Sequence, residues 1–244
     1  MRLYEDMAYG PAPIADGFWP TTVDAIPDHG ALQGAARADV AVIGAGFTGL
    51  NAALTLAEAG RDVVVLEAEQ PGWGASGRNG GFCCLGGAKA GPGAVQRRFS
   101  EAETHGYYRA ERAAVDHVAA LLEEHGIEAD THSQGETLLA HRPRDVASLH
   151  AMAGDIRHWH QVEPAFLPQS ALAEQGLASP EFHGALTTPV GFALNPMKYV
   201  LGLARAAQVA GVRIFGNAPV LSVARQGDYL LRTEHGQLRV KTVI

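Results

Sequence analysis

The chain has 244 residues, of which 47% are hydrophobic, and carries a formal net charge of −7. That composition excludes a disordered chain, and an acidic balance with no dense Lys/Arg cluster excludes a nucleic-acid surface. No apolar run approaches the ~20 residues that cross a bilayer, so no membrane partner is expected. Residues 1–10 carry acids and no apolar segment of the kind a signal peptide needs. The two cysteines, Cys83 and Cys84, are adjacent. A vicinal disulfide is strained and no framework of further cysteines exists, so a soluble protein in the reducing cytoplasm is expected.

Residues 1–37 are rich in Pro, Ala, Asp and Gly, with Phe18-Trp19 as the strong apolar anchor. They predict an extended arm. The run Asp39 to Ile43 then has the continuous apolar character of a strand buried on both faces. It enters Gly44-Ala45-Gly46-Phe47-Thr48-Gly49, a glycine turn that opens a helix in which Leu50, Ala53, Leu54 and Ala57 recur at helical spacing. Gly60 is the stop signal for that helix. Val63-Val64-Val65-Leu66 is the next strand, and Glu67 follows it, 18 residues after Gly49.

This βαβ pattern points to dinucleotide binding, and each residue type has a physical reason. Gly44 permits the tight turn. Gly46 lets backbone approach a pyrophosphate that a Cβ would push away, and Gly49 lets the helix pack closely on the strand. The helix N-terminus offers unpaired N–H groups and a positive dipole end to the phosphates. Glu67 is placed to accept hydrogen bonds from a ribose hydroxyl.

The segment Gly72 to Gly81 holds five glycines in ten residues. So much glycine costs backbone entropy, and close approach to a ligand is the expected reason. Residues 82–90 continue with small side chains, and Gly91-Pro92-Gly93 is a break. Val95 to His125 predicts one continuous helix, Thr137 to Ala140 a short strand, and Pro143 to His160 a second, His-rich helix. Phe182 to Leu186 reads as a strand. Asn195-Pro196 starts a helix over Met197 to Ala210 that Gly211 ends. Val212 to Phe215, Val220 to Ala224, Tyr229 to Thr233 and Leu238 to Ile244 alternate like a strand meander. The last of these reads as a strand cut short, which predicts a truncated chain.

With both glycine segments in view, the chain resembles the FAD-dependent oxidoreductases of the D-amino-acid oxidase superfamily, in the gamma-glutamylputrescine oxidoreductase-like branch. The residues that carry the resemblance are Ala38 to Gly49, Val63 to Glu67, Gly74 to Gly81, Asn195-Pro196 with Tyr199, and Gly211-Val212. The Ala75-to-Gly81 segment is its most specific piece. The resemblance implies an α/β fold in which an FAD-binding Rossmann-like βαβ domain is interleaved with an α+β substrate domain. The implied divisions are an arm at 1–37, FAD domain at 38–94, substrate domain at 95–194 and a return to the FAD domain at 195–244. The family's further flavin-contacting glycine segment has no counterpart before Ile244, so the fold is expected to be incomplete at the C-terminus.

By the same resemblance, Gly44, Gly46, Phe47, Thr48 and Gly49 hold the FAD pyrophosphate and Glu67 the adenosine ribose. Ser76, Arg78, Asn79, Gly80 and Gly81 line the path to the flavin ring, and the backbone of Val220 contacts the adenine. The implied reaction is oxidation of the C–N bond of a small-molecule amine or amino acid, with hydride passing to flavin N5 and an imine hydrolysing to a carbonyl product. Oxygen or another electron acceptor completes the cycle. In this class the cofactor does the chemistry, and no catalytic side chain or metal ligand is assigned. An NAD-linked dehydrogenase and a non-catalytic dinucleotide-binding fragment are the alternatives, and the second glycine segment disfavours the first of them. Cys83 and Cys84 read as small hydrophobes, the spacing of His158 and His160 is not a metal pattern, and Tyr107-Tyr108 reads as packing on a helix.

Overall fold

The computed structural model describes residues 17–87 and 90–244. The reading of residues 1–10 and the first part of the predicted arm lie outside the described residues. In chain order the strands and helices begin with β1 (Gly34–Arg37), β2 (Val40–Ile43), α1 (Phe47–Glu58), β3 (Val63–Leu66), β4 (Phe82–Cys84), α2 (Pro92–Gln96) and α3 (Glu101–Glu124). There follow β5 (Glu136–Leu139), α4 (Asp145–Asp155), β6 (Ala165–Pro168), β7 (Gly184–Thr188), β8 (Gly191–Ala193) and α5 (Pro196–Val209). The last are β9 (Arg213–Phe215), β10 (Ser222–Gln226), β11 (Asp228–Arg232), β12 (Gly236–Val240) and β13 (Thr242–Val243). The chain divides into two compact units: Met1–Gly80 with Ile127–Ala129 and Asn195–Ile244, and Gly81–Gly126 with Asp130–Leu194.

The first unit is built on the parallel sheet β13-β2-β3-β9. Every residue of β3 and the first three of β2 are buried, as expected for strands covered on both faces. α1 crosses between β2 and β3 and buries Leu50, Ala53 and Leu54. α5 packs beside it. Asn195 starts α5 by accepting from the N–H groups of Met197 (3.1 Å) and Lys198 (3.2 Å), and Pro196 sits where a missing N–H costs nothing.

A second sheet, β1-β12-β11-β10, stacks on this unit's core. Leu32, Ala41, Val64, Leu66, Leu231, Leu238 and Val240 are buried together between the two sheets. The chain passes from one sheet to the other twice at the same place. β1 runs into β2 at Asp39, and β12 into β13 at Lys241, whose Nζ lies 2.8 Å from Asp39 Oδ1. Two expectations are corrected here. Val212 to Phe215 is not part of a meander: β9 joins the parallel sheet against β3, as the strand after a helix does in a βαβ crossover. Leu238 to Ile244 is not one strand but two, β12 and β13, in different sheets.

The second unit has an antiparallel sheet β5-β7-β6 and a two-stranded pair β4-β8. α4 covers one face of the first, burying Leu149 and Ala153 against Ala140 and Leu186. The predicted continuous helix from Val95 to His125 is in fact interrupted. α2 ends at Gln96, and Ser100 starts α3 with a capping box: its Oγ accepts from the Glu103 N–H while the Glu103 carboxylate takes the Ser100 N–H. The predicted helix from Pro143 to His160 is α4 continued by a π-helical turn at Ile156–His160, which Gln161 ends at φ +54°.

Candidate dinucleotide-binding site

β2 delivers the chain into a turn that needs glycine. Gly44 has φ +101°, and its N–H donates to the Leu66 carbonyl at 2.9 Å, so the turn is anchored on β3. A Cβ on Gly49 would run into the Gly44 carbonyl, which fixes glycine at both ends of the turn. Gly46 is the N-cap of α1 and has no side chain with which to cap it. Ser76 takes that role: its Oγ accepts the Phe47 N–H at 2.9 Å, from 29 residues further along the chain. A Cβ on Gly46 would stand 3.0 Å from the same hydroxyl.

Glu67 closes the turn from β3. Its Oε2 accepts the Ala45 N–H at 2.6 Å, and its Oε1 accepts the Glu69 N–H at 3.0 Å. Among the described residues, nothing accepts the N–H groups of Thr48 or Gly49. The site is therefore a collar of backbone with two donors left open at a helix N-terminus, beside a carboxylate. Open first-turn N–H groups and the helix dipole together favour an anion there.

The structure gathers the remaining sequence-predicted residues unevenly. Glu67 is hydrogen-bonded along β9, and the Ala218 N–H donates to its carbonyl at 2.8 Å, so the connection bearing Val220 runs alongside it. Val220 itself is half-buried against the inter-sheet core. Asn79 folds back, its Nδ2 reaching the carbonyls of Ala75 (3.2 Å) and Ser76 (3.1 Å), which holds the hydroxyl-bearing loop. The Arg78 guanidinium lies over the Trp73 ring, 4.4 Å from its centre. Gly80 is exposed in the first unit, and Gly81 begins the second.

The reason for the glycines differs from the expected one at two positions. A Cβ on Gly77 would run into the Gly72 carbonyl, and one on Gly72 would stand 2.6 Å from Val200 Cγ1 of α5. Those two glycines serve packing of the segment on a helix. Sequence reasoning also missed three aromatic contacts that shape the site. Tyr199 of α5 packs its ring 4.9 Å from that of Phe47, Trp73 carries Arg78, and the Trp19 Nε1–H donates to the Asn79 carbonyl at 2.8 Å. In the second unit, burial and the neighbouring Cys84 push the Cys83 thiol up to about 11, so it is held protonated and suits packing.

Comparison with known proteins bears on this geometry. The chain is 34% identical over 190 residues to the probable oxidoreductase OrdL of Haemophilus influenzae, covering 78% of this chain and 44% of that one. It is 30% identical over 208 residues to the gamma-glutamylputrescine oxidoreductase of Escherichia coli, covering 84% and 48%. The chain thus spans about half the length of the curated relatives it matches. Among solved structures, a glycine oxidase from Geobacillus kaustophilus superposes with a TM-score of 0.68 at 21% identity, covering 85% of this chain and 54% of that one. An L-amino acid deaminase from Proteus myxofaciens gives 0.67 at 21% identity, covering 91% and 47%, so the fold is shared. No described helix is long and apolar enough to cross a membrane. Residues 39–244 match the DAO family from β2 onward, and with the collar at Gly44–Gly49 the chain belongs to that family of FAD dependent oxidoreductases.

Proposed function

We propose that the first unit holds FAD by its pyrophosphate and adenosine ribose, in an enzyme that oxidises the C–N bond of an amine or amino acid. The observation that carries the proposal is the collar: a glycine turn closed by Glu67 and Ser76, with the N–H groups of Thr48 and Gly49 open at the start of α1. A pyrophosphate oxygen is the acceptor those donors lack. Glu67 is hydrogen-bonded by backbone, so its carboxylate is held in place to accept a ribose hydroxyl. Ser76 and Asn79 fix the second glycine segment at the helix start, and Gly80 and Gly81 continue it toward the flavin. The Val220 backbone, two residues beyond the Ala218 N–H that donates to the Glu67 carbonyl, is the proposed adenine contact.

FAD, when bound, supplies the acceptor for a hydride from the carbon beside the amine nitrogen, leaving an imine that water converts to a carbonyl compound. The chain's own part is to bind and orient the cofactor and to exclude water from it. The second unit is proposed as the substrate-holding part, with oxygen or another acceptor taking the electrons on. The similarity to a gamma-glutamylputrescine oxidoreductase and to amino-acid-oxidising folds supports an amine or amino acid as substrate. Two free cysteines with no disulfide between them fit a reducing compartment such as the cytoplasm.

The direct test is cofactor uptake. The purified chain is expected to retain added FAD through gel filtration and to show the yellow flavin band, with NAD giving no retained ligand. A colourless chain that takes up no FAD overturns the proposal. Gly46→Val, which places a branched side chain against Ser76 Oγ and over the phosphate path, is expected to abolish retention while the fold persists.

A further inference from the structure

On the flank of α3 in the second unit lies a groove of about 290 Å³, closed on its other side by the end of the π-helical turn. His105, Arg109, Arg112 and Asp116 line it at steps of four, three and four residues, a spacing that puts them on one side of the helix. Trp159, His160 and Gln161 line it from the turn. The His105 ring lies 4.8 Å from that of Trp159 and 5.4 Å from that of His158, so packing sets its place. Trp159 and His160 also line a larger cavity of about 620 Å³, but there they meet Tyr108 and Glu111, from a different face of α3.

The arginines are the informative groups. On the turn itself Arg157 is neutralised: its Nε donates to both Glu163 oxygens, at 2.8 and 2.9 Å, and its Nη2 stands 2.7 Å from Oε1. Arg112 is answered in part, by one long bond of 3.4 Å from Nη1 to the His160 carbonyl. Arg109 has no hydrogen-bond or ion-pair partner among the described residues. Its side chain folds back along the helix over Gly106, where Nη2 lies 3.9 Å from the place a Cβ would take. Glycine inside a helix costs stability relative to alanine, and here it leaves the guanidinium room against the backbone. Asp116 forms no ion pair with either arginine among the described residues. Two guanidinium forks with donors to spare, on one wall of a groove, match the three terminal oxygens of a phosphate better than the two of a carboxylate.

We propose that this groove binds a small phosphate monoester, its terminal oxygens taking the free donors of Arg109 and Arg112 beside the His105 ring. The Arg157–Glu163 pair pins the opposite wall, so the site is set before an anion arrives. The groove is separate from the larger cavity and from the glycine collar, and the assignment rests on neither the flavin nor the substrate reading. A phosphate held there braces the turn that carries Trp159 and His160, and with them one wall of the larger cavity. The groove is thereby an effector site, not a substrate site.

Nuclear magnetic resonance of the whole chain labelled with nitrogen-15 arginine reads each Nε–H directly, without turnover or bound FAD. The probe is methyl phosphate at pH 7, where a phosphate monoester carries about −1.5 to −2 charge, with acetate as the carboxylate comparison at equal ionic strength. Methyl phosphate is expected to shift the Arg109 and Arg112 signals and to bind at least about tenfold more tightly than acetate. Arg109→Gln is expected to weaken methyl phosphate at least about tenfold, read on the Arg112 signal. Arg109→Lys, which keeps the charge and loses the fork, serves the same comparison should the first variant not fold. Gly46→Val alters the glycine collar and is expected to leave these shifts unchanged, which separates the groove from any phosphate bound there. A near-ultraviolet circular dichroism spectrum identical to the parent's certifies each variant. No shift at Arg109, equal affinity for acetate and methyl phosphate, or a folded Arg109 variant with undiminished affinity overturns the proposal.

Discussion

Single atoms decide the geometry of the glycine collar at the start of α1. Gly49 cannot become alanine without moving the Gly44 carbonyl, which is itself part of a turn bonded to β3. Gly49→Ala is expected to cost about 1–3 kcal/mol in urea denaturation, the range for forcing extra atoms into packed structure, and to remove FAD retention with it. Ser76→Ala leaves the Phe47 N–H without its acceptor, and the free chain should lose about 1 kcal/mol in the same measurement. At Cys83, a thiol held at about 11 is a poor nucleophile. Site-resolved iodoacetamide labelling at pH 8 should run roughly a hundredfold slower in the native chain than in the denatured one, and equal rates would refute the burial argument. These roles were partly legible in the residues themselves. The spacing of Gly44, Gly46, Gly49 and Glu67 gave the turn and its acid, because that motif is local. The bond from Phe47 to Ser76 was not legible, since it depends on a loop meeting a helix start 29 residues earlier.

At the level of the element, helix starts carry stability that propensity alone does not show. Asn195 is buried and satisfies two first-turn donors of α5, while its Nδ2 donates to Thr22 Oγ1 at 2.8 Å. Asn195→Ala should therefore lower stability by about 1–2 kcal/mol, and Asn195→Asp, which keeps the cap but loses the donor to Thr22, by less; thermal denaturation of the two variants checks the order. The same logic explains where element boundaries were misread. The break between α2 and α3 was written in Ser100-Glu101-Ala102-Glu103, a capping-box pattern that the apolar periodicity around it obscured. β1 was not legible at all: Gly34–Arg37 has no apolar alternation and becomes a strand because β12 pairs with it, Ala36 opposite Leu238. β9 was legible as a strand but not as a member of the parallel sheet, because its partner β3 is far away in sequence.

For the molecule as a whole, pH and protection report on different layers. His29 and His160 both have proton affinities lowered by burial, so the unfolded chain binds more protons than the folded one below pH 6.5. Their contribution to stability is present above that pH and is lost as pH falls from there through the lowered folded-state values. Denaturation midpoints should thus fall between pH 7 and pH 5, and the double variant His29→Gln, His160→Gln should show a shallower fall. Amide exchange should be slowest in the fully buried β3 and fastest in the edge strand β10, where Leu221 and Val223 nearby stay exposed. The paired sheet crossings at Asp39 and Lys241 have a consequence in time. They join positions 202 residues apart, and β2 gains its second neighbour only when β13 is available. A chain leaving the ribosome can shape the glycine turn early, yet the sheet beneath it stays open along one edge until residue 243 has emerged. Closure of so long a loop makes this pairing slow, and the growing chain carries an unpaired parallel edge until β13 arrives.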